Sequence, residues 1–115
     1  MRESELKKMC RLWVEERFDG RLVNVDGKGI LGWPDSILLI PQCSPVFVEF
    51  KTGTKPSPPQ KRWEVWLLAN GFLHWTMYRF DDFAEECENH FIDRGMHRAA
   101  TFATARSRRM AEGKD

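Results

Sequence analysis

The 115-residue sequence lacks long hydrophobic runs, paired cysteines and a marked excess of charge of one sign. Its longest apolar run, Ile37 to Pro41, is far shorter than the ~20 residues that cross a bilayer, so no membrane contact is predicted. Three cysteines without C-x-x-C spacing argue against a disulfide framework or a cysteine zinc site, and they favour a reducing cytoplasmic setting. The net charge of +1 does not by itself indicate a nucleic-acid binder.

Several sequence motifs are also missing. There is no G-x-x-x-x-G-K-[ST] loop of a nucleotide-driven motor, no G-x-S-x-G, and no metal-site spacing among the three histidines. The charged residues of Met1–Glu5 lead into an amphipathic segment, so no signal peptide is expected. Charge is segregated instead: six acids lie between Asp81 and Asp93, and five arginines between Arg94 and Met110. Such blocks are typical of solvated faces or tails, and sometimes of interaction surfaces.

The hydrophobic pattern predicts one mixed α/β domain over residues 1–93, followed by a basic helix or loose tail over 94–115. Its elements follow the order helix, strand, strand, strand, helix, strand, helix. The predicted elements are an amphipathic helix with Leu6 on its apolar stripe that ends at Gly20, strands Arg21–Val25, Ser36–Ile40, Val46–Lys51 and Phe72–Phe80, and helices Ser57–Asn70 and Asp81–Ile92. Pro41–Pro45 predicts a hairpin, so at least one strand pair is antiparallel. Four tryptophans are expected in the core: Trp13, Trp63, Trp66 and Trp75.

The strand Val46–Lys51 has two different faces, because side chains alternate along a strand. One face carries Val46, Val48 and Phe50 and is typical of a core. The other ends in an acid, Glu49, and a base, Lys51. A hairpin centred on Cys43 would set Asp35 opposite Lys51, with Glu49 diagonal to Asp35. Two carboxylates and one ammonium would then meet at one end of a small sheet.

This cluster fits metal-assisted hydrolysis. Two neighbouring carboxylates repel and are hard to ionise together, and a divalent cation relieves the repulsion. Mg²⁺ takes oxygen ligands, usually one or two carboxylates with waters and a substrate phosphate, and the carbonyl of Phe50 is a natural further ligand. A bound metal polarises a phosphoryl oxygen, while Lys51 can orient water or stabilise developing charge. The pattern therefore predicts Mg²⁺- or Mn²⁺-assisted phosphodiester hydrolysis.

Each motif has a simpler explanation when taken alone. The Glu49-x-Lys51 pair is equally typical of a solvent-facing charge pair, and Asp35 after Pro34 is typical of a turn. Together they favour a site, because one motif opens a strand and the other closes the next.

Three segments carry a resemblance to a known family. Gly32–Asp35 (G-W-P-D), Phe47–Lys51 (F-V-E-F-K) and Gln60 at a helix start resemble the motifs of the VRR-NUC family, a branch of the PD-(D/E)XK nuclease superfamily. The resemblance extends from about Glu3 to Phe80, and the element order is similar to the superfamily's αβββαβ core. It implies a restriction-endonuclease-like α/β fold with a mixed central sheet flanked by helices. The chain resembles the small standalone type of phages and bacteria rather than the larger multidomain repair nucleases.

The resemblance also implies roles for individual residues. Asp35 and Glu49 would be metal ligands, Lys51 the catalytic lysine and Gln60 a supporting residue of the active site. The family often has a metal-supporting Glu in its first helix, for which Glu3 fits best and Glu5 is the alternative. An exposed helix terminus explains Glu3 more simply, and a capping box with Ser57 explains Gln60 equally well.

Four further residues are candidates for DNA contact. Trp33 could stack on a base or sugar, although packing beside the hairpin is the simpler interpretation. Lys55, Lys61 and Arg62 flank the predicted site and could contact phosphates, or they could be ordinary surface charges. The arginines from Arg94 onward could add salt-sensitive DNA affinity, or could form a solubilising tail.

The sequence thus favours a DNA nuclease acting in the cytoplasm of a bacterium or phage-infected cell. The resemblance implies a homodimer that cleaves branched DNA such as four-way junctions or flaps. The alternatives are a nicking enzyme or exonuclease without junction preference, a non-catalytic DNA-binding module, and a protein-interaction domain that uses the charged blocks.

Overall fold

A computed structural model describes residues 1–25 and 29–92. Residues 26–28 of the glycine-rich loop and residues 93–115, which include the predicted basic tail, lie outside the described residues. The elements are α1 (Glu3–Phe18), β1 (Arg21–Asn24), β2 (Ser36–Leu39), β3 (Val46–Phe50), α2 (Pro58–Ala69), β4 (Leu73–Met77) and α3 (Phe80–Cys87), followed by a π-helical turn (Glu88–Ile92). The predicted order is confirmed.

The four strands form one mixed sheet in the order β1-β2-β3-β4. The β1–β2 and β2–β3 pairs are antiparallel, and β4 lies parallel to β3 after the α2 crossover. The predicted hairpin and the predicted mixed sheet are therefore both confirmed.

The predicted hairpin register is wrong by two residues. Ser36 pairs with Val48, so the same register continued by one residue places Asp35 opposite Glu49 rather than Lys51. The cause is the turn, which closes early: the N–H of Cys43 donates to the carbonyl of Ile40 at 3.0 Å. Gln42 takes a left-handed φ of 65° behind Pro41, as the third residue of a type II turn does.

The core lies between one face of the sheet and the helices α1 and α3. α1 contributes a stripe at four-residue spacing, Leu6, Cys10, Val14 and Phe18. β3 contributes Val46, Val48 and Phe50, as the alternation predicts. Trp13 and Trp75 pack against this cluster. None of the three cysteines, Cys10, Cys43 and Cys87, forms a disulfide. Burial raises the pKa of Cys10 to about 12, so this thiol is inert at neutral pH.

α2 covers the opposite face of the sheet and packs against β4. Leu67 is its buried residue. Trp66, the residue before it, is 52% exposed, so the prediction that Trp66 lies in the core is wrong. Adjacent residues of a helix point about 100° apart, and the face that holds Leu67 therefore turns Trp66 toward solvent.

Element boundaries differ from the predictions most at three places. β4 ends at Met77 rather than Phe80, and the last helix begins at Phe80 and changes to the π-helical turn at Glu88. The left-handed residue that ends α1 is Asp19, with φ 55°. Gly20 is needed for space instead, because a Cβ there would lie 2.5 Å from Cδ1 of Ile40. None of the helices in the described ranges is both long enough and apolar enough to cross a membrane.

Candidate active site

Asp35 is held from several sides at the start of β2. The hydroxyl of Ser36 donates to Oδ1 at 2.9 Å, and the backbone N–H of Phe50 donates to Oδ2 at 3.2 Å. The ammonium of Lys7 on α1 lies 3.6 Å from Oδ2. The buried Pro34 precedes Asp35 and fixes the chain where it enters the strand. These contacts fix the carboxylate in one orientation against the end of β3.

Glu49 lies beside Asp35 near the end of β3 and is only 5% exposed. Burial, together with the charge of Asp35 and a hydrogen bond between the two side chains, raises the pKa of Glu49 to about 8. The positive charges of Lys51 and Lys7 act in the opposite direction. At neutral pH and without a cation, this carboxyl pair therefore retains one proton.

Gln60 connects the first turn of α2 to the carboxyl pair. Its Nε2 donates to Oε2 of Glu49 at 3.2 Å, while its Oε1 accepts from the N–H of Ser57 at 2.8 Å. The N–H of Gln60 donates in turn to the hydroxyl of Ser57 at 3.4 Å, which completes a capping box. Gln60 thus caps the helix and contacts Glu49 with the same side chain, so the two interpretations of this residue are compatible.

The loop before Asp35 packs directly on the start of α2. Gly32 has φ 82°, and a Cβ at this position would collide with the backbone of Pro59 and lie 2.7 Å from the backbone nitrogen of Gln60. The glycine of the G-W-P-D segment is therefore required for the close approach that places Gln60 beside the carboxyl pair.

A second polar cluster anchors α2 to β4. Glu64, one turn after Gln60, accepts from the hydroxyl of Thr76 at 3.2 Å, forms an ion pair with Lys61 and lies 3.4 Å from Nδ1 of the buried His74. Burial alone would raise the pKa of Glu64. The hydrogen bonds that Glu64 accepts and the positive charge nearby outweigh burial, so this pKa lies below its ordinary value. Burial also lowers the pKa of His74, which favours the neutral form of its ring. This cluster fixes the orientation of α2 about its own axis. It therefore also fixes where the side chain of Gln60 lies.

The sequence also predicts five other residues for the site: Trp33, Lys51, Lys55, Lys61 and Arg62. Lys51 is partly buried, and its charge acts on Glu49. Trp33 packs edge-on against Trp63, and Lys55 is exposed in the loop before α2. Lys61 is paired with Glu64, whereas Arg62 is exposed on the outer side of α2.

A divalent cation suits the donors that are present. Asp35 and Glu49 offer the carboxylate oxygens that Mg²⁺ prefers, and a cation would take the place of the retained proton. Within residues 1–25 and 29–92, no third His, Cys, Asp or Glu joins them in a group that could hold a metal ion. The predicted metal roles of Glu3, of Glu5 and of the Phe50 carbonyl stay predictions.

Two residues that contact Asp35, Ser36 and Lys7, are not predicted from the sequence. Ser36 is recognisable afterwards, because a small hydroxyl residue lies on the same buried face of β2 as Leu38 and directly follows Asp35. Lys7 follows the buried Leu6 on α1, and its neighbours give no signal that it faces the sheet.

The fold is similar to that of solved structures. No family model matches the sequence, and no curated protein matches it. One solved structure titled "VRR_NUC domain" is 24% identical, with a TM-score of 0.59, and the match covers 75% of this chain and 97% of that chain. Another, titled "VRR_NUC domain protein", is 17% identical with a TM-score of 0.65, and the match covers 79% of this chain and 88% of that one. The chain therefore has the fold of VRR_NUC domain structures, a restriction-endonuclease-like α/β fold built on a mixed four-stranded sheet.

Proposed function

We propose that this chain is a nuclease of the VRR-NUC type that hydrolyses DNA phosphodiester bonds with the help of Mg²⁺ or Mn²⁺. The observation that carries the proposal is the Asp35–Glu49 carboxyl pair, in which Glu49 is buried, with Lys51 beside it and Gln60 hydrogen-bonded to it. The likeness to VRR_NUC domain structures supports the same function through the fold.

The residues of the site divide the work of hydrolysis. Asp35 and Glu49 would hold the cation, with the main-chain carbonyl of Phe50 as a third oxygen donor. The cation, when bound, supplies Lewis-acid chemistry at a phosphoryl oxygen. Ser36, Lys7 and the N–H of Phe50 keep Asp35 oriented, and Gln60 keeps Glu49 oriented.

Lys51 is the catalytic residue in this proposal. Lys51 directly follows β3 and its charge acts on Glu49. In this position it can orient the attacking water and stabilise the negative charge that develops on the phosphate. Lys55 lies in the loop that follows, where it would contact a neighbouring phosphate. Such contacts position DNA without reading its sequence.

The substrate we propose is branched DNA, such as a four-way junction or a flap. The described residues of one chain hold one such site, and symmetric cleavage of a junction needs two sites related by a twofold axis. A homodimer supplies them, and we include this assembly in the proposal.

The test is a cleavage assay on end-labelled single strands, linear duplex, flaps and four-way junctions, each with Mg²⁺, Mn²⁺ or chelator. We expect cleavage that needs the cation and is fastest on a branched substrate. Analytical ultracentrifugation of the same preparation tests the dimer. If the folded protein binds these DNAs but cleaves none of them with either cation, it is a non-catalytic DNA-binding module. Equal rates on all substrates would instead indicate a general nicking enzyme.

A further inference from the structure

A row of aromatic side chains leads away from the carboxyl pair across the α2 side of the molecule. Trp33 and Trp63 have ring centroids 4.7 Å apart, and Trp63 and Trp66 are 5.9 Å apart. Trp66 then lies almost parallel to Phe72, with an interplanar angle of 16°. The indole N–H of Trp63 donates to the carbonyl of Leu31 at 3.1 Å, which fixes the middle of the row.

The outer side of this row forms an open groove of about 500 Å³. Its lining residues are Leu31, Pro59, Arg62, Trp63 and Trp66. Trp66 is 52% exposed and Leu31 78% exposed, so large apolar surfaces face solvent here. None of the lining residues is acidic. Arg62 is exposed, and it makes no ion pair with any residue of the described ranges.

The groove lies close to the site of the proposed chemistry. Gln60 contacts Glu49, and Trp63 follows three residues later, roughly 4.5 Å along the helix axis. Trp66 lies roughly 9 Å along the axis from Gln60. At the other end of the row, Trp33 is separated from Asp35 by Pro34 alone. The row of rings Trp33, Trp63 and Trp66 therefore runs from the segment that carries Asp35 to the groove.

These features suit a flat aromatic ligand that carries a negative charge. Indole rings stack on nucleobases, and a guanidinium pairs with the attached phosphate. In an intact duplex both faces of each base are already stacked on their neighbours, so the ligand must be an unpaired base. A purely apolar partner surface would instead leave Arg62 facing it without a counter-charge.

We propose that this groove binds an unpaired nucleobase against Trp66, with Arg62 on its phosphate. The proposal rests on the proposed function in so far as DNA is the substrate. It adds that the favoured substrates contain unpaired nucleotides next to the cleaved bond. The chain would then distinguish a flap, gap or overhang from a blunt duplex through stacking, without reading the base sequence.

The experiment measures equilibrium binding of the full chain in EDTA, so that no cleavage occurs. Fluorescence anisotropy compares a blunt duplex with the same duplex carrying a single-stranded overhang. Trp66→Ala should weaken binding of the overhang DNA roughly 5- to 100-fold and leave the blunt duplex within about twofold. Leu68→Ala is the matched control, because Leu68 is an equally exposed apolar residue of α2 that does not line the groove. Arg62→Gln should weaken overhang binding and reduce its dependence on salt.

A base analogue provides a direct readout of stacking. 2-Aminopurine in the overhang should lose fluorescence on binding the wild-type chain and keep it on binding Trp66→Ala. Circular dichroism confirms that each variant is folded, and an exposed residue such as Trp66 should be replaceable without unfolding.

Three outcomes would overturn the inference. Trp66→Ala could weaken both DNAs equally, the aminopurine fluorescence could stay unchanged, or Trp66→Ala could split a dimer while leaving DNA discrimination intact. The last result would make the groove a surface between two copies of the chain. These outcomes are separate from those of the cleavage assay: stacking without cleavage would contradict only the nuclease proposal, and cleavage without stacking would contradict only this one.

Discussion

Gln60 donates a hydrogen bond to Glu49 at 3.2 Å while its other amide atom caps the helix on which it lies. A glutamine amide has one donor end and one acceptor end, so a single orientation satisfies both contacts. The start of α2 and the carboxyl pair are thereby joined. Any change that shifts the start of α2 therefore also alters the hydrogen bonding of Glu49, a proposed metal ligand.

The two tasks of Gln60 can be separated with a second variant. Gln60→Ala removes the acceptor for the N–H of Ser57 and the contact with Glu49, whereas Ser57→Ala removes only the acceptor for the N–H of Gln60. We expect each to lower the free energy of unfolding by about 1 kcal/mol in urea titrations. Only Gln60→Ala should also slow DNA cleavage, roughly 10- to 100-fold. An equal loss of activity in both variants would mean that Gln60 acts solely as a cap.

Metal binding should release a proton. Glu49 has a pKa of about 8 in the metal-free protein, raised by burial and by Asp35, and it must ionise to bind a cation. At pH 7 we therefore expect Mg²⁺ binding to release close to one proton, and the affinity should rise with pH until about pH 8 and then level off. Isothermal titration calorimetry in buffers of different ionisation enthalpy measures the release. Glu49→Gln should bind without it, and a pH-independent affinity in the wild type would contradict the raised pKa.

The same shift affects the stability of the metal-free protein. Because the folded-state pKa of Glu49, about 8, lies above its ordinary value of 4.5, the folded protein binds the proton more tightly than the unfolded chain does. This contribution to stability is complete below about pH 4.5 and is lost as pH rises through 8. The midpoint of thermal unfolding in EDTA should fall between pH 5.5 and pH 8, and the fall should be smaller in Glu49→Gln. A midpoint that rises over this range in the wild type alone would exclude the assignment.

Lys7 should tune the ionisation of the pair. Its ammonium lies 3.6 Å from Asp35, and its charge lowers the pKa of Glu49. Lys7→Gln should therefore move the pH at which Mg²⁺ affinity levels off upward, by roughly half a pH unit or more. Lys8→Gln changes the exposed neighbouring lysine and should leave that pH in place. If both variants behave alike, the effect is one of net charge.

Gly32 should be far less replaceable than another glycine of the same backbone conformation. Gly32 and Gly71 have φ 82° and 85°, but a Cβ would collide with Pro59 only at Gly32, and Gly71 faces open space. Gly71→Ala should cost about 1 kcal/mol of unfolding free energy through its φ alone. Gly32→Ala should cost about 1–3 kcal/mol more and should lower cleavage activity, because the start of α2 must shift. Denaturant titration measures the free energy of unfolding of both variants. Equal losses would show that the start of α2 can move away from a Cβ at Gly32 without destabilising the fold.

Much of the fold was predictable because its elements carry strong local signals. The apolar stripe of α1, the apolar face of β3 and the capping box at Ser57 are all visible in the local sequence, and the structure confirms them. The proximity of Asp35 and Glu49 was also predictable, since one motif opens a strand and the other closes the next.

The remaining features depend on contacts between distant segments. The hairpin register depends on a left-handed Gln42, a conformation that its residue type does not favour. Lys7 reaches Asp35 only once α1 has packed on the sheet. The exposure of Trp66 follows from which face of α2 meets β4, and a helix with apolar residues on several sides does not reveal that face.

The most direct test of the central claim is the rate of DNA cleavage by Lys51→Ala beside Lys8→Ala, at saturating DNA with Mg²⁺. Both variants remove one lysine charge, but only Lys51 lies beside the carboxyl pair. The account predicts that Lys51→Ala loses at least ~100-fold in kcat while retaining DNA binding, and that Lys8→Ala stays within about twofold of the wild type. Undiminished cleavage by Lys51→Ala would contradict a hydrolytic site at Asp35, Glu49 and Lys51.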